Sequence, residues 1–124
     1  MPLSVQPYQA GHLLTSGAPT VAEGAGAGTG ATVQLTGTDS AGVITVTTGT
    51  LPTAAATVVT VTFASAFDYA PAVVLSPGNA ATALLSGGTM ARAVASTTVI
   101  TLTAGSTGLT GATTYVWQYV TVGW

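Results

Sequence analysis

From residue 31 onward, apolar and polar positions alternate in short runs broken by turn-forming residues. Val, Ile and Thr dominate the runs, and their β-branched side chains favour a pleated, half-buried surface. The pattern predicts strands over residues 31–36, 43–48, 57–64, 72–76, 90–95, 98–103 and 113–122. Between them lie Gly37-Thr38-Asp39-Ser40-Ala41-Gly42, Gly49-Thr50-Leu51-Pro52, Pro77-Gly78-Asn79, Gly87-Gly88 and Gly105-Ser106-Thr107-Gly108. These clusters supply the positive φ angles and side-chain hydrogen bonds that turns need. A short helix fits around residues 79–85. The expected fold class is all-β, an antiparallel β-sandwich or small barrel preceded by an extended N-terminal arm.

Side-chain alternation assigns the faces. Over residues 57–64, Val59, Val61 and Phe63 share one side, and Val58, Thr60 and Thr62 the other. Ile100 and Leu102 oppose Val99, Thr101 and Thr103 in the same way. Residues 113–122 differ, because both faces are apolar. Tyr115, Trp117 and Tyr119 lie on one side, with Val116, Val120 and Val122 on the other. Such a strand is either central in the core or shared with another subunit, so Tyr115, Trp117 and Tyr119 are candidate interface residues.

Ahead of the strands, residues 1–23 carry Pro2, Pro7 and Pro19 and show neither a helical stripe nor sustained alternation. Gly24-Ala25-Gly26-Ala27-Gly28-Thr29-Gly30 has minimal side chains and reads as a flexible tether. The expected division is therefore an arm with its tether at 1–30 and a β domain at 31–124. Leu3, Val5, Tyr8, Leu13 and Leu14 would be the arm's anchors on a neighbouring subunit; a disordered tail is the alternative.

Composition then removes whole classes of function. The 124 residues hold one basic and three acidic side chains, Arg92, Glu23, Asp39 and Asp68, for a net charge of −2. Ordinary soluble domains carry about a quarter charged residues. A grip on nucleic acid needs Lys and Arg clusters, and so does a polybasic membrane patch. No run approaches the ~18–20 apolar residues that span a bilayer. The first five residues have neither a basic nor an apolar signal region. The absence of cysteine removes disulfides, thiolate zinc sites and cysteine nucleophiles. With Thr supplying hydration in place of charge, the composition suits a subunit packed among neighbours.

Catalytic templates lack their parts. The one histidine, His12, lies in the expected arm, where a rigid Ser-His-Asp arrangement is not readily built. Asp39 sits where a turn former is expected, Asp68 suits a loop residue or a partner of Arg92, and Glu23 suits a solvated position. One His and three scattered acids give no metal-ligand spacing. Gly26 to Ala31 matches a loose dinucleotide-loop expression, yet no strand is expected ahead of it and no helix after it. The C-terminal aromatics could stack on a sugar ring, although Asn79 and Gln118 are the only amides past residue 34. The residues point to a structural or interaction protein with no cofactor.

Three segments carry a resemblance. They are Gly37-Thr38-Asp39-Ser40-Ala41-Gly42-Val43-Ile44-Thr45-Val46-Thr47-Thr48-Gly49-Thr50, the stretch from Val59 to Pro77, and Thr113-Thr114-Tyr115-Val116-Trp117-Gln118-Tyr119-Val120. Together they resemble the small Thr/Gly-rich β-domains of tailed-bacteriophage virion surface proteins, over roughly two thirds of the chain. The resemblance implies a homotrimer on the virion surface, without catalysis or cofactor. Phe67 and Tyr69 would cap one end of the sandwich, and Pro71 would set the start of the following strand.

A lone small domain behind an apolar arm suits a capsid decoration protein that binds the major capsid protein, or another virion protein, and stabilises the head. A tail-fibre tip or receptor-binding domain, reading a host-surface glycan, is the alternative. A carbohydrate-binding module is the third reading.

Overall fold

A computed structural model describes residues 17–123. Eight strands form two four-stranded antiparallel sheets. The first sheet combines β1 (Thr20–Glu23), β4 (Thr57–Thr62), β7 (Val99–Thr103) and β6 (Arg92–Ala95), in that spatial order. The second combines β2 (Thr32–Gly37), β3 (Ala41–Thr47), β8 (Thr114–Val122) and β5 (Ala72–Pro77). The sheets pack face to face as a β-sandwich, without closing into a barrel. The seven strands expected from alternation are present within a residue or two at each end.

The core lies between the sheets. Val59, Val61, Ile100 and Leu102 come from the first, and Ile44, Val46, Tyr115, Trp117 and Tyr119 from the second. A register shift between Thr57 and Val59 buries Val58 as well as Val59. Strict alternation had put Val58 outside; the bulge inserts one residue and turns both side chains inward. Phe67 packs edge-on against Phe63, with ring centroids 4.8 Å apart, and closes one end of the sandwich. Tyr69 does not share that role. It is 63% exposed, because the loop turns outward before the buried Pro71.

The division at residue 30 moves towards the N-terminus. Thr20–Glu23 pairs with β4, and the Gly24 amide continues the ladder to the Val58 carbonyl at 2.9 Å. Ala25–Ala27 then forms a 3-10 turn in which Ala27 is fully buried. The glycines here provide closeness rather than freedom. A Cβ on Gly24 or Gly26 would overlap the carbonyl oxygens of Thr57 and Ala56. The anchors Leu3, Val5, Tyr8, Leu13 and Leu14 lie outside the described residues, as does His12.

The short helix is α1 (Ala80–Ala83), capped by Asn79. Its side-chain oxygen accepts from the Thr82 amide at 3.0 Å and from the Thr82 hydroxyl at 2.7 Å. That hydroxyl in turn accepts the Val116 amide at 2.8 Å, and the Asn79 side-chain amide donates to the Thr114 carbonyl at 2.9 Å. α1 thus completes the edge of β8 where β5 has ended.

Candidate functional site

β8 is central in its sheet and separates two different surfaces. On the inner side, Tyr115, Trp117 and Tyr119 are 3%, 4% and 1% exposed. The Tyr115 and Trp117 rings stack with centroids 5.8 Å apart. Each tyrosine hydroxyl is engaged by backbone. Tyr115 accepts from the Thr110 amide at 3.1 Å, and Tyr119 donates to the Thr38 carbonyl at 2.5 Å. Burial pushes the Tyr119 hydroxyl up to about 12, with the nearby Asp39 carboxylate adding to the effect. These three aromatics belong to the core, so their ring faces are not open to a sugar or to a neighbouring subunit. Of the two readings of this strand, the structure has the core one; the roles of Tyr115, Trp117 and Tyr119 as interface residues or as a sugar platform are corrected, because the sheet buries the large flat rings and turns the smaller valines outward.

That outer side is the candidate surface. Val74 pairs with Val120 and Ala72 with Val122 across β5 and β8, while Ala41 and Val43 extend the patch onto β3. Val74, Val120 and Val122 are 62%, 48% and 57% exposed. Gln118 and Ser76, hydrogen-bonded at 3.2 Å, interrupt the valines, and Thr36 and Thr45 flank them. No charged residue lies on the strands of this sheet. Glu23 and Arg92 belong to the other sheet, Asp39 is buried in the β2–β3 turn, and Asp68 is an exposed loop residue. An exposed, uncharged valine cluster of this kind is a candidate contact surface.

A second apolar feature opens between β5, α1 and the chain leading into β6. This cleft of about 190 Å³ is lined by Leu75, Pro77, Leu85 and Met90, with Trp117 behind them. It has room for an aliphatic or aromatic side chain; Ser76 and Thr82 also line it, with hydroxyls already bonded to Gln118 and to Asn79 and Val116.

Asp39 does more than form a turn. Its two carboxylate oxygens accept the amides of Ala64 and Ser65 at 2.8 and 3.0 Å, and its carbonyl accepts the Thr121 hydroxyl at 2.6 Å. The side chain therefore ties the β2–β3 turn to the chain leaving β4, and so one sheet to the other. Alternation and turn rules place Asp39 in the turn, but they carry no signal for this long-range clamp. The valine patch was half legible: the apolar outer face of β8 stood in the sequence, while its partners Val43 and Val74 depended on strand order.

Among the described residues no group of three His, Cys, Asp or Glu side chains comes together, and no helix is long and apolar enough to cross a membrane. Comparison with family models, with curated proteins and with solved structures finds no match for this chain.

Proposed function

We propose that this protein is a bacteriophage virion structural protein, a capsid decoration subunit that binds the assembled head and stabilises it. The observation that carries the proposal is the uncharged valine face of the second sheet, on a chain with four charged residues in all. Apolar surface is driven out of water non-directionally, in proportion to its area. An open sheet face suits a broad partner better than a small ligand, which needs concavity. On a shell, many copies would each bury such a patch across capsomer junctions. The modest energy of each contact is then multiplied over the particle and opposes expansion. The sandwich suits this role, because its loops need form no chemistry and its face is held in register by three hydrogen-bonded strands.

The deciding experiment is electron cryomicroscopy of purified virions. The protein is expected at regular lattice positions on the head, with the β3–β8–β5 face against the shell. Density for it confined to the tail would sink the decoration reading and leave the receptor-binding one.

A further inference from the structure

The four edge strands of the sandwich are protected unequally. β1 follows Pro19 and ends on Glu23. β6 has four residues and opens on Arg92. β5 runs between Pro71 and Pro77. Proline, charge and short length are the devices by which a sheet keeps other strands away. β2 has none of them. Its six residues, Thr32-Val33-Gln34-Leu35-Thr36-Gly37, are uncharged and pair with β3 without a register shift. Among the described residues no strand pairs with its outer edge.

We propose that β2 is a homodimer interface: the β2 strands of two copies pair antiparallel about a two-fold axis through Gln34, joining two four-stranded sheets into one continuous sheet. The strand's own sequence identifies a second copy as the occupant. Pairing about Gln34 sets Thr32 opposite Thr36 of the other copy, and Val33 opposite Leu35. Thr–Thr and aliphatic pairs are favourable cross-strand neighbours, and two Gln34 amides on the axis can hydrogen-bond each other. Every apolar residue then meets an apolar one on the core side, where Val33 and Leu35 are half-buried against the core. A slip by one residue would set these side chains against Thr and Gln, so the register is specified. A two-fold axis also sets like against like, which a charge anywhere near the centre of β2 would penalise. The uncharged sequence avoids that penalty.

The pairing goes beyond the virion role and is independent of it, since it concerns the free protein in solution. A strand-edge contact is small, so the full chain is expected to show a monomer–dimer equilibrium in roughly the micromolar range by sedimentation equilibrium. Gln34→Lys places two ammonium groups together on the axis and should weaken the dimer at least about tenfold. Gln34→Glu should do the same, and an equimolar mixture of the two variants should restore association as a heterodimer. Gln34 is exposed on the outer face, and near-ultraviolet circular dichroism checks that each variant keeps its core. Should Gln34→Lys lose that signal, the Thr32→Lys/Thr36→Lys double variant sets two like-charge pairs in the same register. A full chain that sediments as a monomer throughout overturns the proposal. So does a trimer, the state that the virion-protein resemblance implies, or an association unchanged by the charged variants.

Discussion

The Tyr119 hydroxyl donates to the carbonyl of Thr38 at 2.5 Å, joining positions 81 residues apart at the turn that presents Asp39. This bond sets a limit on alkaline stability. An ionised Tyr119 would be buried and close to the Asp39 carboxylate, and these effects push its pKa up to about 12. In the unfolded chain the same phenol titrates near pH 10.

The sign follows from proton binding. Between about pH 10 and 12 the unfolded chain loses the Tyr119 proton while the folded chain keeps it, so stability falls as pH rises. The contribution is fully present below pH ~10, and about 2–3 kcal/mol is expected to be lost by pH ~12. Urea unfolding across this range measures it. Tyr119→Phe should cost about 1–2 kcal/mol at neutral pH and flatten the alkaline decline. A decline as steep in Tyr119→Phe as in the parent would assign the effect to another group.

Asp39 carries the second expectation. Asp39→Ala leaves the amides of Ala64 and Ser65 without their acceptor in a part-buried setting. A loss of about 2–4 kcal/mol is expected in denaturant unfolding. Asp68→Ala, at an exposed loop position, should change stability by less than about 0.5 kcal/mol. Equal effects of the two would contradict the clamp.

The glycine tract gives the third. Gly26→Ala forces a methyl group into the Ala56 and Thr57 carbonyls, where backbone rather than a pliable side chain must yield. A cost of about 2–3 kcal/mol is expected. A chain beginning at residue 31 would lack β1 and expose the edge of β4, so its cooperative thermal transition should be lost. An unchanged transition in that shortened chain would restore the reading of residues 1–30 as a tether.

What was legible in the sequence and what was not follows from the range of each interaction. Alternation is local, so the strands from β2 to β8 and the inward set Val59, Val61, Ile100 and Leu102 could be placed before any fold was known. A short helix around residues 79–85 was likewise expected, although its Asn79 cap was not. β1 is only four residues long, and it lies between Pro19 and the glycine tract. Local composition there resembles a linker, while the structure uses it for close packing that only the partner strand reveals. Aromatics facing inward rather than outward on β8 depended on which sheet would cover them. The same holds for Thr. Thr48, Thr82 and Thr121 are buried and hydrogen-bonded, so part of what looked like a hydrating surface is internal polar stapling.

Thr82 tests that stapling directly. Its hydroxyl stands in for the strand that would otherwise pair with β8 at Val116. Thr82→Val keeps the shape and removes the acceptor, so a loss of about 1–2 kcal/mol is expected. Hydrogen exchange should quicken at the Val116 amide and leave that of Trp117 less affected. Uniform quickening along β8 would show that α1 supports the whole strand and not its edge alone.

The valine face separates contact from stability. Val120 and Val74 project outward, so a lysine at either can reach water without opening the core. Val120→Lys and Val74→Lys should each change folding stability by less than about 1 kcal/mol. On the proposed shell contact, the same change would bury an ammonium group against an apolar partner without a counter-charge, at a cost of several kcal/mol. Binding to purified heads lacking the protein is therefore expected to fall by more than about tenfold, measured by co-sedimentation. Val94→Lys is the matched control, since Val94 is also 62% exposed but lies on the outer face of the opposite sheet. It should bind as the parent does. Equal loss from Val94→Lys and Val120→Lys would mean that general surface charge, and not the β3–β8–β5 face, governs attachment.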